Sequence, residues 1–419
     1  MSNKIFVQIA SYRDPELVKT IDSMIDNAKY PNNLVIGICN QFSDDDDFSD
    51  LSKYRKDKRF KIIDINYKKS KGVCWARNEV QQLYTSEKYT LQIDSHMRFE
   101  KNWDYTLIKM IEQLQSLGIK KPLLTAYVPS YDPSNDPNGR ILEPWRMVFD
   151  RFIPEGAVFF LPETIPNWKE IDTPVPARFY SAHFAFTLGE FSKEVQHNPN
   201  YYFHGEEISI AVRAFTHGYD LFHPHRVVIW HEYTRKGRTK QWDDDKEWFK
   251  KNETSHTINR RLFGMDGEEQ QGQNGKYGFG TLRTLEEYEE YSGINFKKRG
   301  VQKETLEKKY PPNKTIVDYG SRELWLESFQ QIFKHCIDIY PSNVPETDYD
   351  FWVVAFHDEN DNTMYRLDAD KSEIKRMLND PDGYCKVWRE FQTNDKPKYW
   401  VIWPHSESKG WCERLTGMI

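Results

Sequence analysis

Asp94-Ser95-His96 sets a carboxylate and an imidazole two residues apart, directly after the apolar run Tyr89 to Ile93. That run is short and bounded, so it reads as a buried strand. Alternate residues at a strand end point the same way, and Asp94 and His96 therefore converge on one spot. Mixed oxygen and nitrogen ligands suit a divalent cation such as Mn²⁺. A capped strand end with a surface histidine has the same sequence, so the pair needs a third member. His231, at the end of the apolar run Val227 to Trp230, is the candidate. The three together would hold a metal on one side and leave positions open to a ligand's oxygens.

Other groups could serve the same centre. Ser11, Tyr12 and Arg13 follow the first apolar run, Ile5 to Ala10. A loop there lies at the crevice where open α/β sheets bind ligands. These residues could contact a uracil or its ribose; an ordinary polar loop would look alike. Arg77 can pair bidentately with a diphosphate, or close a structural ion pair. Glu206 and Glu207 open a helix over Ile208 to Thr216, with Ile208, Ala211, Val212 and Phe215 as its apolar stripe. Acids are favoured at a helix N-terminus by the macrodipole; alternatively one of them lines the reaction centre. The acidic run 44–47 reads as a solvated loop, because adjacent carboxylates repel.

The elements that must position these groups alternate in type. Ile5 to Ala10 is a strand, and Asp14-Pro15 reads as N-cap and first residue of a helix reaching Asn27. Strands follow at Leu34 to Asn40 and Phe60 to Asn66, then a helix within 72–84, the strand before Asp94, a helix Trp103 to Leu117 and a strand Leu123 to Tyr127. This rhythm predicts an α/β fold with a doubly wound start. Residues 129–156, rich in Pro, Asn and Asp, read as a long loop and an acceptor-side flap. Phe179 to Thr187 reads as a strand carrying His183.

Residues 297–314 carry seven Lys and Arg side chains and read as a basic linker between a first domain, 1–296, and a second, 315–419. The second shows a helix at about Ser321 to Ile337, a short helix Lys371 to Leu378, and aromatic strand-like runs Asp350 to Phe356 and Tyr399 to Trp403. It is expected to be a small α+β domain for acceptor binding or self-association as a homo-oligomer, its aromatics forming a core.

At 419 residues, with 15% aromatic and 29% charged side chains, the composition is that of an enzyme with a sizeable core. A net charge of −6 argues against a surface committed to nucleic acid. The five cysteines are odd in number and widely spaced, as expected of reduced thiols. No run approaches the roughly 18–20 apolar residues of a membrane span, and no signal peptide precedes the first strand. A cytoplasmic location without membrane contact is expected.

Asp94-Ser95-His96 resembles the Asp-x-His variant of the GT-A glycosyltransferase Asp-x-Asp motif, the form found in polypeptide N-acetylgalactosaminyltransferases. Gly205-Glu206-Glu207-Ile208-Ser209, with a later Trp230-His231-Glu232-Tyr233, is similar to their further motifs. A closer resemblance, over roughly residues 3–297, is to glycosyltransferase family 60, that of cytoplasmic hydroxyproline N-acetylglucosaminyltransferases. It rests on His231-Glu232-Tyr233-Thr234-Arg235, on Arg260-Arg261-Leu262, on the stretch from Tyr277-Gly278-Phe279-Gly280 to Tyr288, and on Ser292-Gly293-Ile294-Asn295-Phe296.

The resemblance implies a GT-A nucleotide-diphospho-sugar transferase fold, a Rossmann-like mixed sheet flanked by helices. It implies Asp94, His96 and His231 as metal ligands for Mn²⁺ or another divalent cation. It places Ser11 and Arg13 in the nucleotide pocket, with Tyr12, Ser95, Arg77 and Arg235 as expected neighbours, and turns Glu206 or Glu207 to the donor sugar or acceptor. A UDP-sugar donor, most simply UDP-GlcNAc, and a retaining outcome follow, with a protein Ser, Thr or hydroxyproline hydroxyl as acceptor. Two alternatives stand beside it: a glycosyltransferase acting on hydroxymethylated DNA bases, and an inactive UDP-sugar or carbohydrate-binding module. A zinc hydrolase is disfavoured, since neither His-Glu-x-x-His nor Cys-x-x-Cys occurs.

Overall fold

Continuous apolar runs in the first 100 residues fold as the parallel half of a mixed sheet. A computed structural model describes residues 3–267, 275–379, 383–393 and 395–419. The chain divides into two units, Met1–Lys297 with Glu304–Arg322, and Lys298–Lys303 with Glu323–Ile419.

In the first unit the strands are β1 (Ile5–Tyr12), β2 (Leu34–Phe42), β3 (Phe60–Asn66), β4 (Tyr89–Asp94), β5 (Met97–Phe99), β6 (Pro122–Thr125), β7 (Trp145–Phe152), β8 (Val158–Thr164), β9 (Val175–Pro176), β10 (Phe184–Leu188), β11 (Asp220–His223) and β12 (Ile229–His231). Eight of them form one sheet in the order β3-β2-β1-β4-β10-β6-β11-β9. β1 pairs in parallel with β2 and β4, whereas β10 runs antiparallel to β4 and β6. Helices α1 (Leu17–Asn27), α2 (Val73–Gln81), α3 (Trp103–Ser116) and α4 (Glu206–Thr216) flank it.

Successive residues of β1 feed opposite layers, as a pleated strand requires. Val7 and Ile9 join Ile21 and Met24 of α1 and Ile111 of α3 in the larger core. Phe6 turns the other way, against Ala76 and Val80 of α2. A strand buried on both faces needs no polar alternation, which is why these runs read as solidly apolar.

Several expectations are corrected. The second half of the expected loop 129–156 is strand β7, paired antiparallel with β8. His183 precedes β10 rather than lying inside a strand. Helix α1 begins at Leu17, later than Asp14-Pro15 suggested; Asp14 accepts the Glu16 amide through Oδ1 (2.9 Å) before the helix proper. The stretch read as a basic linker is packed structure. Thr305 and Asn313 are buried, and the Arg178 guanidinium reaches the Lys309 carbonyl and Asn313 Oδ1. Lysines line its outer side, so composition alone hid the buried side.

In the second unit, Tyr349–His357 pairs with Tyr399–Ser406 and Thr363–Arg366, and Gln331–Ile339 pairs with Cys385–Thr393. Trp352, Val354, Phe356, Ile402, Ile337 and Val387 form the core with Ile374 of the helix Lys371–Leu378. The expected helix to Ile337 is confined to Arg322–Glu327; Gln331–Ile339 is strand, with Ile337 and Ile339 turned inward and Lys334 and Asp338 outward. None of the five cysteines forms a disulfide. Among the described residues, no helix is long and apolar enough to cross a membrane.

Candidate functional site

Three ligand-type side chains meet where β4 ends. Asp94 is its last residue, and two residues later the chain enters β5. β12 pairs antiparallel with β5 in the register Met97 opposite His231, and the Glu232 amide donates to the His96 carbonyl (3.1 Å). That register carries His231, distant in sequence, beside His96. One ligand atom from each of Asp94, His96 and His231 lies within 4.8 Å of the others. Asp94 Oδ2 is 3.3 Å from His231 Nε2 and 3.6 Å from His96 Nε2.

The oxygens of Asp94 are divided. Oδ1 takes Arg77 Nη2 at 2.6 Å, leaving Oδ2 on the histidine side. Burial opposes ionisation of Asp94, but Arg77 and His231 outweigh it and hold the carboxyl well below its usual range. Burial pushes the His231 imidazole down to about 4, leaving it neutral at physiological pH. One carboxylate oxygen with neutral imidazole is a mixed donor set that fits a divalent cation.

Behind the site runs a buried polar chain. Arg77 Nη1 forks onto both oxygens of Glu206 (2.8 and 2.9 Å), Glu206 Oε1 is 2.6 Å from His197 Nδ1, and His197 Nε2 meets Gln92 Oε1 at 2.5 Å. Every member is nine-tenths buried or more. Burial opposes the charge on Glu206, yet Arg77 and His197 bring its carboxyl down to about 2. Arg77 thus holds two carboxylates.

Glu207, one residue on, lives differently. Its Oε2 accepts the Tyr127 hydroxyl (2.8 Å) and its Oε1 the Ala182 amide (2.9 Å). Among the described residues no cation pairs with it, and burial pushes it up to about 7. The helix bearing both acids starts from Gly205, whose φ of +87° lies in the left-handed region that favours glycine.

Asp94, His96, His231, Arg77, Glu206 and Glu207 line a cavity of about 430 Å³ with Tyr12, Tyr127, His183, Tyr233 and Arg235. Of the expected nucleotide contacts, Tyr12, Arg77, Asp94, Ser95 and Arg235 border it. Ser11 and Arg13 do not. Ser11 is buried, and Arg13 forks onto Asp46 (2.8 and 2.9 Å) and reaches Asp244 (3.0 Å). The Tyr12 hydroxyl also donates to Asp244 (2.7 Å), so a turn of helix, Gln241–Asp244, is tied across the end of β1. Arg235 lies over the Trp242 ring, its guanidinium 5.3 Å from the centroid. Ser95 donates to Asp14 Oδ2 (2.7 Å).

Sequence reasoning missed Asp14, Tyr127 and Tyr233, and left His183 without a role. The His183 ring stacks on His231 with centroids 4.3 Å apart and an interplanar angle of 20°, and Tyr233 meets His231 edge-on at the same separation. Asp14 contacts His96 Nδ1 at 2.8 Å. Arg238 lies against the His96 ring and 3.2 Å from Asp14 Oδ2. Only for Tyr233 was there a signal, its closeness to His231 in sequence.

Residues 4–56 and 47–298 match the family Glycosyltransferase (GlcNAc). No curated protein matches the chain. Among solved structures, the crystal structure of GalNAc-T7 with UDP, GalNAc and Mn²⁺ is 14% identical at a TM-score of 0.46, covering 68% of this chain and 54% of that one. This chain therefore spans about half the length of that relative. S. aureus TarS 1–349 in complex with UDP-GlcNAc is 12% identical at a TM-score of 0.37, covering 59% of this chain and 64% of that one. The mannosyltransferase PcManGT from Pyrobaculum calidifontis with GDP-Man and Mn²⁺ is 13% identical at 0.36, covering 56% and 58%. The family match takes in the whole parallel half of the sheet, Asp94, His96, both glutamates and His231: the chain, built on a mixed α/β sheet, belongs to the Glycosyltransferase (GlcNAc) family.

Proposed function

We propose that the protein is a divalent-cation-dependent glycosyltransferase of the family 60 type, moving GlcNAc or a related hexose from UDP to an acceptor hydroxyl on protein Ser, Thr or hydroxyproline. The observation that carries this reading is the convergence of Asp94 Oδ2, His96 and His231 in the lining of the cavity. A UDP leaving group gathers charge as the glycosidic bond breaks, and a bound divalent cation would supply the neutralising charge there.

The chain's own residues do the rest. Asp94, His96 and His231 would hold the cation, while Tyr12 and Arg235 border the nucleotide. Glu206 acts from behind, keeping Arg77 on Asp94. Glu207 faces the cavity and is the residue we assign to the sugar, where its carboxylate would orient hydroxyls and stabilise positive charge at the anomeric carbon. Among the described residues no side chain stands out as a dedicated nucleophile. We therefore favour retention by same-face attack, the acceptor's proton passing to a phosphate oxygen of the donor.

UDP release from a panel of UDP-sugars, with Mn²⁺ and with EDTA, tests the reading without an acceptor. Release from one donor that EDTA abolishes is expected. Asp94→Ala should lose most of that activity while remaining folded. Full activity in Asp94→Ala would remove the cation from the mechanism.

A further inference from the structure

We propose that the second unit carries a binding platform for neutral pyranose oligosaccharides, centred on Trp403 and Trp411. The platform shares no residue with the cavity of the first unit.

Strands Tyr349–His357, Tyr399–Ser406 and Gly410–Trp411 lie side by side. Their register sets Phe351 opposite His405, and His405 opposite Trp411. Side chains alternate along a strand, so Trp352 and Ile402 fill the core while Phe351, Trp403, His405 and Trp411 gather on the other face. There the rings order one another. Phe351 and His405 stack with centroids 5.1 Å apart at 15°. Trp411 meets both nearly at right angles, at 5.5 and 5.0 Å, and Trp403 leans on Trp411 at 4.3 Å. Trp403 Nε1 donates to the Cys412 carbonyl (3.0 Å), which pins that indole and uses its one polar atom. Even so, Trp403 is 37% and Trp411 49% exposed. Tryptophans left in water yet held in place by their neighbours are pre-organised for a ligand.

Size, charge and hydrogen bonding choose among ligands. At about 250 Å² per indole, the exposed fractions leave roughly 200 Å² of ring surface. That is far short of the about 800 Å² that each partner gives to a stable protein pair. The hairpin bordering Trp411 neutralises its own charges, with Lys409 on Glu346 (2.5 Å) and Glu407 on Lys371. An anionic ligand finds no spare cation in residues 407–409. Asp350 holds His405 through Nδ1 (2.8 Å), leaving Nε2 as the ring nitrogen for a ligand. A sugar hydroxyl both donates and accepts, so it suits that nitrogen in either role. The C–H groups on a pyranose face are drawn to the negative face of an aromatic ring.

The experiment is isothermal calorimetry of the full chain with chitotetraose, cellotetraose and maltotetraose, repeated on Trp411→Ala, Trp411→Phe and Asp94→Ala. Binding of at least one oligosaccharide is expected, and which one binds separates N-acetylated from plain chains and β- from α-linked ones. Trp411→Ala should weaken binding about tenfold, Trp411→Phe less, and Asp94→Ala not at all. Melting temperature should stay at the wild-type value in both Trp411 variants. Failure of all three sugars to bind at millimolar concentration, or binding that Trp411→Ala leaves intact, would overturn the proposal. So would light scattering that finds a wild-type dimer and a Trp411→Ala monomer, for the patch would then belong to a second copy of the chain. A wild type that binds oligosaccharide but hydrolyses no UDP-sugar would overturn the catalytic reading and support the platform.

Discussion

Glu206 and Glu207 are neighbours in sequence with opposite electrostatic surroundings, and substitutions should separate them. The Glu207 carboxyl is pushed from 4.5 to about 7, so between those values the unfolded chain has lost a proton that the folded one keeps. Its contribution to stability is fully present below pH 4.5, falls as pH rises, and is gone above about 7. Relative to wild type, Glu207→Gln should gain stability with rising pH, by on the order of 2–3 kcal/mol at pH 8. Denaturant unfolding across pH measures this difference. Wild-type UDP release should rise through pH 7 as Glu207 ionises, and Glu207→Gln should lose both that rise and most of the activity. Arg77→Gln strips a buried cation from two carboxylates and should cost about 3–5 kcal/mol in denaturant unfolding, which would mark Arg77 as structural support. Asp94 and His96 were legible because strand periodicity aims them together over three residues. Asp14 and the Arg77–Glu206 pair were not, because each partnership spans 82 or 129 positions and leaves no local pattern.

The register of β12 on β5 decides whether the site exists, for it sets His231 opposite Met97. A one-residue slip would turn His231 to the other face. Gly205 does the same for α4. A Cβ there would lie 3.0 Å from Asn259 and 3.1 Å from Tyr201, on backbone of positive φ. Gly205→Ala should destabilise by about 1–2 kcal/mol and shift Glu207, so UDP release should fall by more than stability alone explains. The denaturant midpoint and the hydrolysis rate, read together, test this. The parallel strands were legible because burial on both faces leaves long apolar runs. Gln331–Ile339 was misread because Phe333 and Ile337 are also spaced as on a helix, while its true alternation is blurred by His335 and Cys336. β7 was lost for another reason: Pro, Asn and Asp dominate the residues just before it.

All the residues assigned to the site lie in the first unit, which ends at Arg322. A chain shortened to residues 1–322 should fold and keep cation-dependent UDP release. A chain shortened to 1–297 should be markedly less stable, because Arg178 would lose the Lys309 carbonyl and Asn313 and keep only the Ser292 carbonyl (2.9 Å). Buried guanidinium without its acceptors is costly. Thermal unfolding of the two fragments separates these outcomes. The same interleaving shapes how the protein is made. The chain passes between units after residues 297, 303 and 322. On the ribosome the first unit cannot close until Arg322 emerges, yet by then residues 298–303 of the second have already been synthesised. Val301 must wait for Gln330, its partner in two backbone hydrogen bonds. Order of synthesis and order of folding therefore diverge, and a protease cutting one bond within 298–322 would release neither unit whole.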